Sequence, residues 1–480
     1  MDLRLAVYHY RRRRRGQSDG SPLPHGLRIE LLNLVATRML RPPGPKPHFL
    51  IGNIPLAGRA PLDTFRRWAD QYGDIFYYRS AWRHVYFLNR PDLIEYVLVK
   101  NPQNFLKDPY VRKSRWLLGD GLFTAEGDAW KRQRRLIQPA FSRDRISAYS
   151  HCMTDSAEQA LASWKGGTVM DIHQEMMSLT LRVVMRALFE IETIETDKIA
   201  RSLNTVLVNS TGWRLLLPHF FQYLPLPGMR DVRRAVDEMN AAVYEIIRQR
   251  RSSDQGTSRD LLSILMQARD EDGSWMTDEQ LRDEVMTFLL AGHETTALAL
   301  SYALYLLSQN VGAQEKLRHE VDRVLAGRLP SVSGIPSLTF LENVIKETMR
   351  LYPPAWTMAR TAIAAFELEG YRIPARANVV MSQWIMHRDP RFFPEPEKFD
   401  PDRWSTSACQ KLPRFAYFPF GGGQRMCIGA SFATTEAALI LANIVRMYQL
   451  VSVDEAPVLP VPSLTLRPKG PIRIRVEARC

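Results

Sequence analysis

Cysteine is scarce and scattered: the 480 residues contain four, Cys152, Cys409, Cys427 and Cys480. None forms a C-x-x-C pair or stands at the spacing of a zinc site, and four such distant residues make no disulfide framework. A reducing compartment is expected. Residues 1–40 also lack the run of roughly 20 apolar residues that a membrane span needs. No internal repeat is visible, which excludes solenoids and propellers. What remains is a globular chain, 45% hydrophobic, able to bury a large core.

Charge is uneven. The formal net charge is +13, and five of those charges are one run, Arg11–Arg15, leaving 13 − 5 = +8 for the rest. The run lies in a Gly, Ser and Pro-containing stretch that reads as a disordered basic tail over 1–40. Its arginines are either simply solvated or in contact with anionic lipid or nucleic acid, and no nucleic-acid function is expected. Leu27 to Leu40 is partly amphipathic and fits either a membrane surface or packing on the body. A cytoplasmic protein, at most peripheral to a membrane, is the expectation.

Arg41-Pro42-Pro43-Gly44-Pro45-Lys46-Pro47 is a stiff, non-helical hinge before a single folded domain, 41–480. The pattern predicts a helix over Pro61–Tyr72, a hairpin over 74–89 turning near Ser80–Arg83, and helices over 91–100 and Asp128–Ile137. Residues 145–310 read as almost wholly helical, with breaks near 165–167, 217–228 and 251–258. The proline-containing segment before Met229 is a mobile lid or a plain connector. Thr277-Asp278-Glu279-Gln280 is a capping box opening a helix to about Asn310. Its stretch Val285–Leu307 is apolar but carries His293 and Glu294, as a buried functional helix would. Helices near 313–326 and 338–351 follow, the latter stopped by Tyr352-Pro353-Pro354. Strands are expected within Thr361–Val380 and at 472–476. The fold class is mainly α with small β-sheets.

Residues 418–429 read Phe-Pro-Phe-Gly-Gly-Gly-Gln-Arg-Met-Cys-Ile-Gly, followed by an apolar helical run from Ala430 to about Tyr448. A lone cysteine is usually a small buried hydrophobe. A thiolate needs backbone N–H groups aimed at the sulfur, a nearby helix N-terminus and an apolar wall. Gly421, Gly422 and Gly423 are candidates for the first, the helix after Cys427 for the second and Phe420 for the third. The spacing F-x-x-G-x-R-x-C-x-G is met throughout and resembles the ligand loop of the cytochrome P-450 family, the haem-thiolate monooxygenases. The likeness runs from about Pro42 to the C-terminus in family order.

The resemblance implies a triangular prism with a long central helix over haem b (iron protoporphyrin IX). It makes Cys427 the axial ligand of the haem iron, with Phe420, Gly421, Gly429 and Ala291 against the cofactor. In Ala291-Gly292-His293-Glu294-Thr295-Thr296, an acid and an alcohol sit together at mid-helix, and cleaving dioxygen needs protons that such a pair can deliver. Read alone, a back-bonded threonine and an ion-paired glutamate fit as well. The family's A-G-x-[DE]-T pattern makes Glu294 and Thr295 the catalytic pair. Trp130, Arg134, Arg360 and Arg425 match the family's propionate-binding positions. Glu347 and Arg350 match the E-x-x-R pair, with Arg403 as the third, structural member. Asp402 and Trp404 stand where the family often has Glu and Phe.

By family position, Leu118, Phe123, Phe288, Ala291, Trp356, Thr357 and Met358 line an apolar substrate pocket. Only 53 residues follow Cys427, too few for a flavin reductase domain. A separate ferredoxin or flavodoxin, with its NAD(P)H-dependent reductase, is therefore expected to supply electrons. Lys131, Arg132 and Arg135 form a basic surface suited to an acidic carrier. The expected reaction is hydroxylation or epoxidation of an apolar organic molecule by a monomer. A peroxide-driven or O2-independent enzyme, and a non-enzymatic haem sensor, are the alternatives. Both have less use for Glu294 and Thr295.

Overall fold

The computed structural model describes residues 41–54, 60–191, 195–209, 228–252, 260–270 and 273–479. The tail 1–40 and nearly all of the segment expected as lid or connector lie outside them. Some 56% of the described residues are helical.

The helix Pro61–Tyr72 begins on a proline whose missing N–H costs nothing at that position and stops at Gly73. Strands Ile75–Ser80 and Arg83–Leu88 form the expected hairpin. They open a five-stranded sheet continued by Asn378–Met381, Met358–Ala362 and Phe105–Lys107. Successive side chains on a strand face opposite ways. Accordingly Ile75, Tyr77, Tyr86 and Leu88 enter one apolar cluster, and Phe76, Tyr78, Val85 and Phe87 another on the opposite face. Only Arg83–Leu88 and Asn378–Met381 run parallel. The hinge is pinned to this sheet: the Tyr77 amide donates to the Pro43 carbonyl at 2.9 Å. A Cβ on Gly44 would lie 1.8 Å from the Tyr77 carbonyl oxygen, so only glycine fits.

The largest core lies among the helices. At its centre the long helix, Asp278–Gln309, starts on Thr277 with both bonds of the capping box present. It packs against Ile172–Phe189, Met229–Ser252, Thr339–Leu351 and Ala430–Met447. Residues 91–100 are an α-turn run continuing as a π-helix over Tyr96–Lys100. The helical reading of 145–310 misses one strand, Thr168–Asp171, which joins Arg473–Ala478 and Tyr448–Ser452 in a second sheet. Two hairpins complete the structure, Phe366–Leu368 with Tyr371–Ile373 and Pro460–Pro462 with Leu466–Pro468. No helix among the described residues is long and apolar enough to cross a membrane.

Candidate active site

The cysteine loop is held from both ends. Its Gly421 amide donates to the Phe418 carbonyl at 2.9 Å and the Cys427 amide to the Phe420 carbonyl at 3.1 Å. Gly421 and Gly423 have φ of +71° and +69°, which L side chains rarely adopt. A Cβ on Gly423 would stand 1.9 Å from the Leu98 carbonyl oxygen, where the loop meets the π-helical segment. The Gly421 N–H is thus spent in the turn, and the N–H aimed at the sulfur is that of Gly429. Cys427 is exposed, though its surroundings crowd the sulfur. Burial pushes its thiol up, against the opposing pull of the Gly429 N–H and the Arg134 charge. The following helix, Ala430–Met447, starts three residues later.

Beside the loop, positive charge is concentrated. Lys107 and Arg360 stand directly opposite each other on paired antiparallel strands, an arrangement that like charges disfavour. Arg425 joins them. It is bonded to the Ala125 carbonyl at 2.8 Å, ion-paired with Glu126, and laid over the Trp130 ring at 3.9 Å. Arg134 donates to the Met426 carbonyl at 3.0 Å. Burial, then the Arg425 and Arg360 charges, hold the Lys107 amine down to about 7. Burial and Arg425 hold Arg360 down to about 10. A cluster of cations depressed in this way is what a group carrying two carboxylates would relieve. With the exposed thiol of Cys427, this donor set fits haem. Lys107 escapes a sequence reading because its partner is a distant strand.

The loop 117–126 is tied to the long helix. The Asp120 amide donates to Asp283 at 2.8 Å, the Leu122 amide to Glu284 at 3.0 Å, and Arg282 to the Leu117 carbonyl at 2.9 Å. Glu284 is fully buried and its second oxygen has no partner. Burial pushes its carboxyl up to about 8 from 4.5. The folded chain therefore keeps a proton that the unfolded chain releases as pH rises through 4.5. The stability this confers is complete below that pH and is lost on the way to 8. Lys107, depressed to about 7 from 10.5, adds stability only as pH rises above 7. Glu284→Gln should therefore flatten the pH dependence of the melting temperature between about pH 5 and about pH 7; an unchanged slope would remove this role.

In the long helix most side chains are buried, yet Ala291 is exposed and Thr295 half-exposed at mid-length. Four residues apart, they share one face. The Thr295 hydroxyl donates to the Ala291 carbonyl at 2.8 Å. Glu294 turns elsewhere, since neighbouring helix positions do not face each other. It is 1% exposed and accepts from Thr465 at 3.0 Å and from Arg467, both on the hairpin 460–468. The sequence reading missed that anchor, as nothing local marks a three-residue strand. Beneath the same helix lies Glu436, fully buried, with neither oxygen at bonding distance of a partner. Burial drives its carboxyl well up, opposed by the Thr296 hydroxyl.

Glu347, Arg350 and Arg403 come together without solvent. Arg350 grips both Glu347 oxygens at 2.8 and 2.9 Å, and Arg403 reaches Glu347 at 2.9 Å. Trp404 donates to Glu347 at 3.0 Å, a bond that phenylalanine there could not make. Arg350 also donates to the carbonyls of His387 at 2.9 Å and Pro396 at 2.6 Å. The His387 ring accepts from the Phe418 amide at 2.9 Å. A continuous path thus runs from Glu347 to the start of the cysteine loop. Asp402 pairs with Lys316.

The expected pocket residues are dispersed. Phe123 and Met358 are half-buried, and the Met358 methyl approaches Gly421. Leu118 is 1% exposed within the helical core. Phe288 stacks on Phe141 with centroids 5.4 Å apart. Trp356 packs into the cluster beyond the sheet and donates to the Ser463 carbonyl at 2.9 Å, while Thr357 donates to the Met381 carbonyl at 3.2 Å. The exposed residue of that segment is Ala355. The basic face expected on Gly127–Ile137 is partly counter-charged. Arg132 and Arg135 share Asp270 at 2.5 and 2.6 Å, and Lys131 pairs with Asp128 at 2.9 Å. The acids responsible are partly far off in sequence, so the sequence shows the cations without their counter-charges.

Residues 42–476 match the family model described as Cytochrome P450. Cyclooctatin synthase of Streptomyces melanosporofaciens is 37% identical over 436 residues, 89% of this chain and 95% of that protein. Cyclooctat-9-en-7-ol 5-monooxygenase of the same organism is 37% identical over 427 residues, 86% and 90% of the two chains. Pentalenene oxygenase of Streptomyces avermitilis is 33% identical over 437 residues, 89% and 96%.

Proposed function

The chain belongs to the cytochrome P450 family and is a haem-thiolate monooxygenase, and from that premise we propose that it oxygenates a cyclic, largely hydrocarbon substrate of the terpenoid kind. Two relatives are named for oxygenating pentalenene and a cyclic alkenol, which favours such a skeleton over a linear fatty acid. Apolar Phe123 beside Lys107, Met358 beside Gly421, and Ala291 exposed on the long helix suit it.

The observation that carries the reading is the exposed Cys427 beside the cradle of Lys107, Arg134, Arg360 and Arg425. Bound there, haem supplies an iron at which dioxygen is activated. Cys427 would hold the metal as thiolate, since a coordinating thiol is deprotonated outright. The Gly429 N–H lowers the cost of that charge. The cradle would neutralise the propionates, Arg134, Arg360 and Arg425 as expected from sequence and Lys107 in addition. The Glu347–Arg350–Arg403 group acts structurally, bracing the loop through His387.

Glu294 and Thr295 supply protons. Because they face different ways, the carboxylate must pass its proton through water to the Thr295 hydroxyl, which must leave the Ala291 carbonyl to take part. Arg467 and Thr465 keep Glu294 oriented meanwhile. Electrons come from NAD(P)H through a separate reductase and a ferredoxin or flavodoxin. Asp270 offsets one of the two charges of Arg132 and Arg135, so an acidic carrier docking on this face would meet the remaining positive charge. We infer a cytoplasmic monomer.

Thr295→Ala tests the assignment. The variant should consume reductant at a comparable rate but return much of it as hydrogen peroxide, with product per reductant falling severalfold. Unchanged coupling would show that protons travel another way.

A further inference from the structure

Two hairpin tips project side by side from the edge of the five-stranded sheet. The first, His48 to Gly52, is closed by a bridge between those residues and carries Phe49, Leu50 and Ile51, exposed by 76%, 67% and 44%. The second is the turn between strands 75–80 and 83–88 and carries Trp82, exposed by 77%. They are fastened together: Gly52 bridges to Ser80, the Ala81 amide donates to the Ile51 carbonyl at 3.2 Å, and the Arg79 guanidinium reaches the His48 carbonyl at 2.6 Å. Four large apolar side chains thus form one protruding patch on otherwise well-packed protein. Scattered single hydrophobes need no explanation, but a contiguous cluster does.

The exposed charge around the patch is positive, and the carboxylate near Arg83, Asp108, is buried. Segments 41–53 and 77–84 contain Arg41, Lys46, Arg79 and Arg83 and no carboxylate. None of the four is ion-paired with a described residue. Burial, then the Arg41 and Arg79 charges, hold the neighbouring His84 imidazole below its ordinary value, as a local positive field would. A second copy would bring like charges together across such a face. Convex apolar tips, an exposed tryptophan and a collar of cations match the interface of an anionic bilayer, where aliphatic and aromatic groups enter the headgroup boundary and cations stay above it.

We propose that this patch is a peripheral docking site for an anionic lipid membrane. Phe49, Leu50, Ile51 and Trp82 insert, and Arg41, Lys46, Arg79 and Arg83 face the headgroups. The site is independent of the oxygenation chemistry, although a membrane would also be a reservoir for an apolar substrate.

Co-sedimentation of the haem-loaded full chain with vesicles tests it. Binding is expected to phosphatidylcholine vesicles containing phosphatidylglycerol, to weaken as salt rises, and to fall sharply on pure phosphatidylcholine. A Phe49→Ser, Leu50→Ser, Trp82→Ser variant should bind about tenfold more weakly or worse. Lys46→Glu with Arg83→Glu should abolish the preference for anionic lipid while leaving the apolar tips intact. The emission lost in Trp82→Phe should shift to the blue on binding and be quenched by brominated acyl chains. Lys46, Phe49, Leu50 and Trp82 are exposed and Arg83 is half-buried at a strand start, so haem content and the thermal transition should be unchanged. No binding to either vesicle, or equal binding by the triple variant, would overturn the proposal. So would variants that lose a concentration-dependent dimer while vesicle binding persists, since the patch would then be a contact between copies.

Discussion

Glu347→Leu should give a chain that is 3–5 kcal/mol less stable, by the order of magnitude for breaking a buried ion pair, and that retains little haem. Glu347 is wholly buried and accepts from Arg350, Arg403, Trp404 and the Asp400 amide. Removing the carboxylate strands two guanidiniums in the interior, and their desolvation is no longer offset. Stabilities of natural proteins are about 5–15 kcal/mol, so the loss is a large fraction of the total. It also reaches the cofactor, because Arg350 holds the His387 carbonyl and the His387 ring holds the Phe418 amide. Trp404→Phe removes one hydrogen bond to a charged acceptor and should cost only about 1.5–3 kcal/mol. Thermal unfolding and the haem-to-protein absorbance ratio measure both. If Glu347→Leu matched Trp404→Phe, the carboxylate would not be the centre of the brace.

The second large effect concerns proton supply. Glu294→Gln keeps shape and acceptor but removes the exchangeable proton, and turnover should fall by about a hundredfold, the lower range for a lost general acid–base group. Arg467→Leu separates orientation from chemistry. The carboxylate would remain, buried with Thr465 as its partner but no longer held by the guanidinium. Turnover in that variant should fall severalfold, well short of the loss in Glu294→Gln, and product per reductant should fall with it. Turnover unchanged from wild type would mean that the ion pair only anchors the hairpin 460–468.

The elements legible in the sequence are those whose signals are local. Pro61–Tyr72, the Thr277 capping box and the helix after the cysteine loop carry their own start and stop chemistry. The cysteine loop is legible for the same reason: its glycines, arginine and cysteine fall within twelve residues. What escaped is pairing over distance. Strands Phe105–Lys107, Pro460–Pro462 and Leu466–Pro468 are three residues long, too short to show alternation. Yet they bring Lys107 opposite Arg360 and Arg467 to Glu294. The counter-charge of Arg132 and Arg135 was hidden likewise, since Asp270 reaches them from a loop far along the chain. Trp404 is the converse case, a departure from the family pattern whose added donor shows only in three dimensions.

The coordination of iron by Cys427 sulfur is tested most directly by the absorption spectrum of the reduced, haem-loaded protein under carbon monoxide. The wild-type chain should show the strongly red-shifted Soret band of an anionic sulfur ligand. Cys427→Ser, if it holds haem, should show the band at the shorter wavelength of ordinary haem proteins. A folded, haem-loaded wild type lacking the red-shifted band, or a Cys427→Ser variant that keeps it, would contradict the assignment.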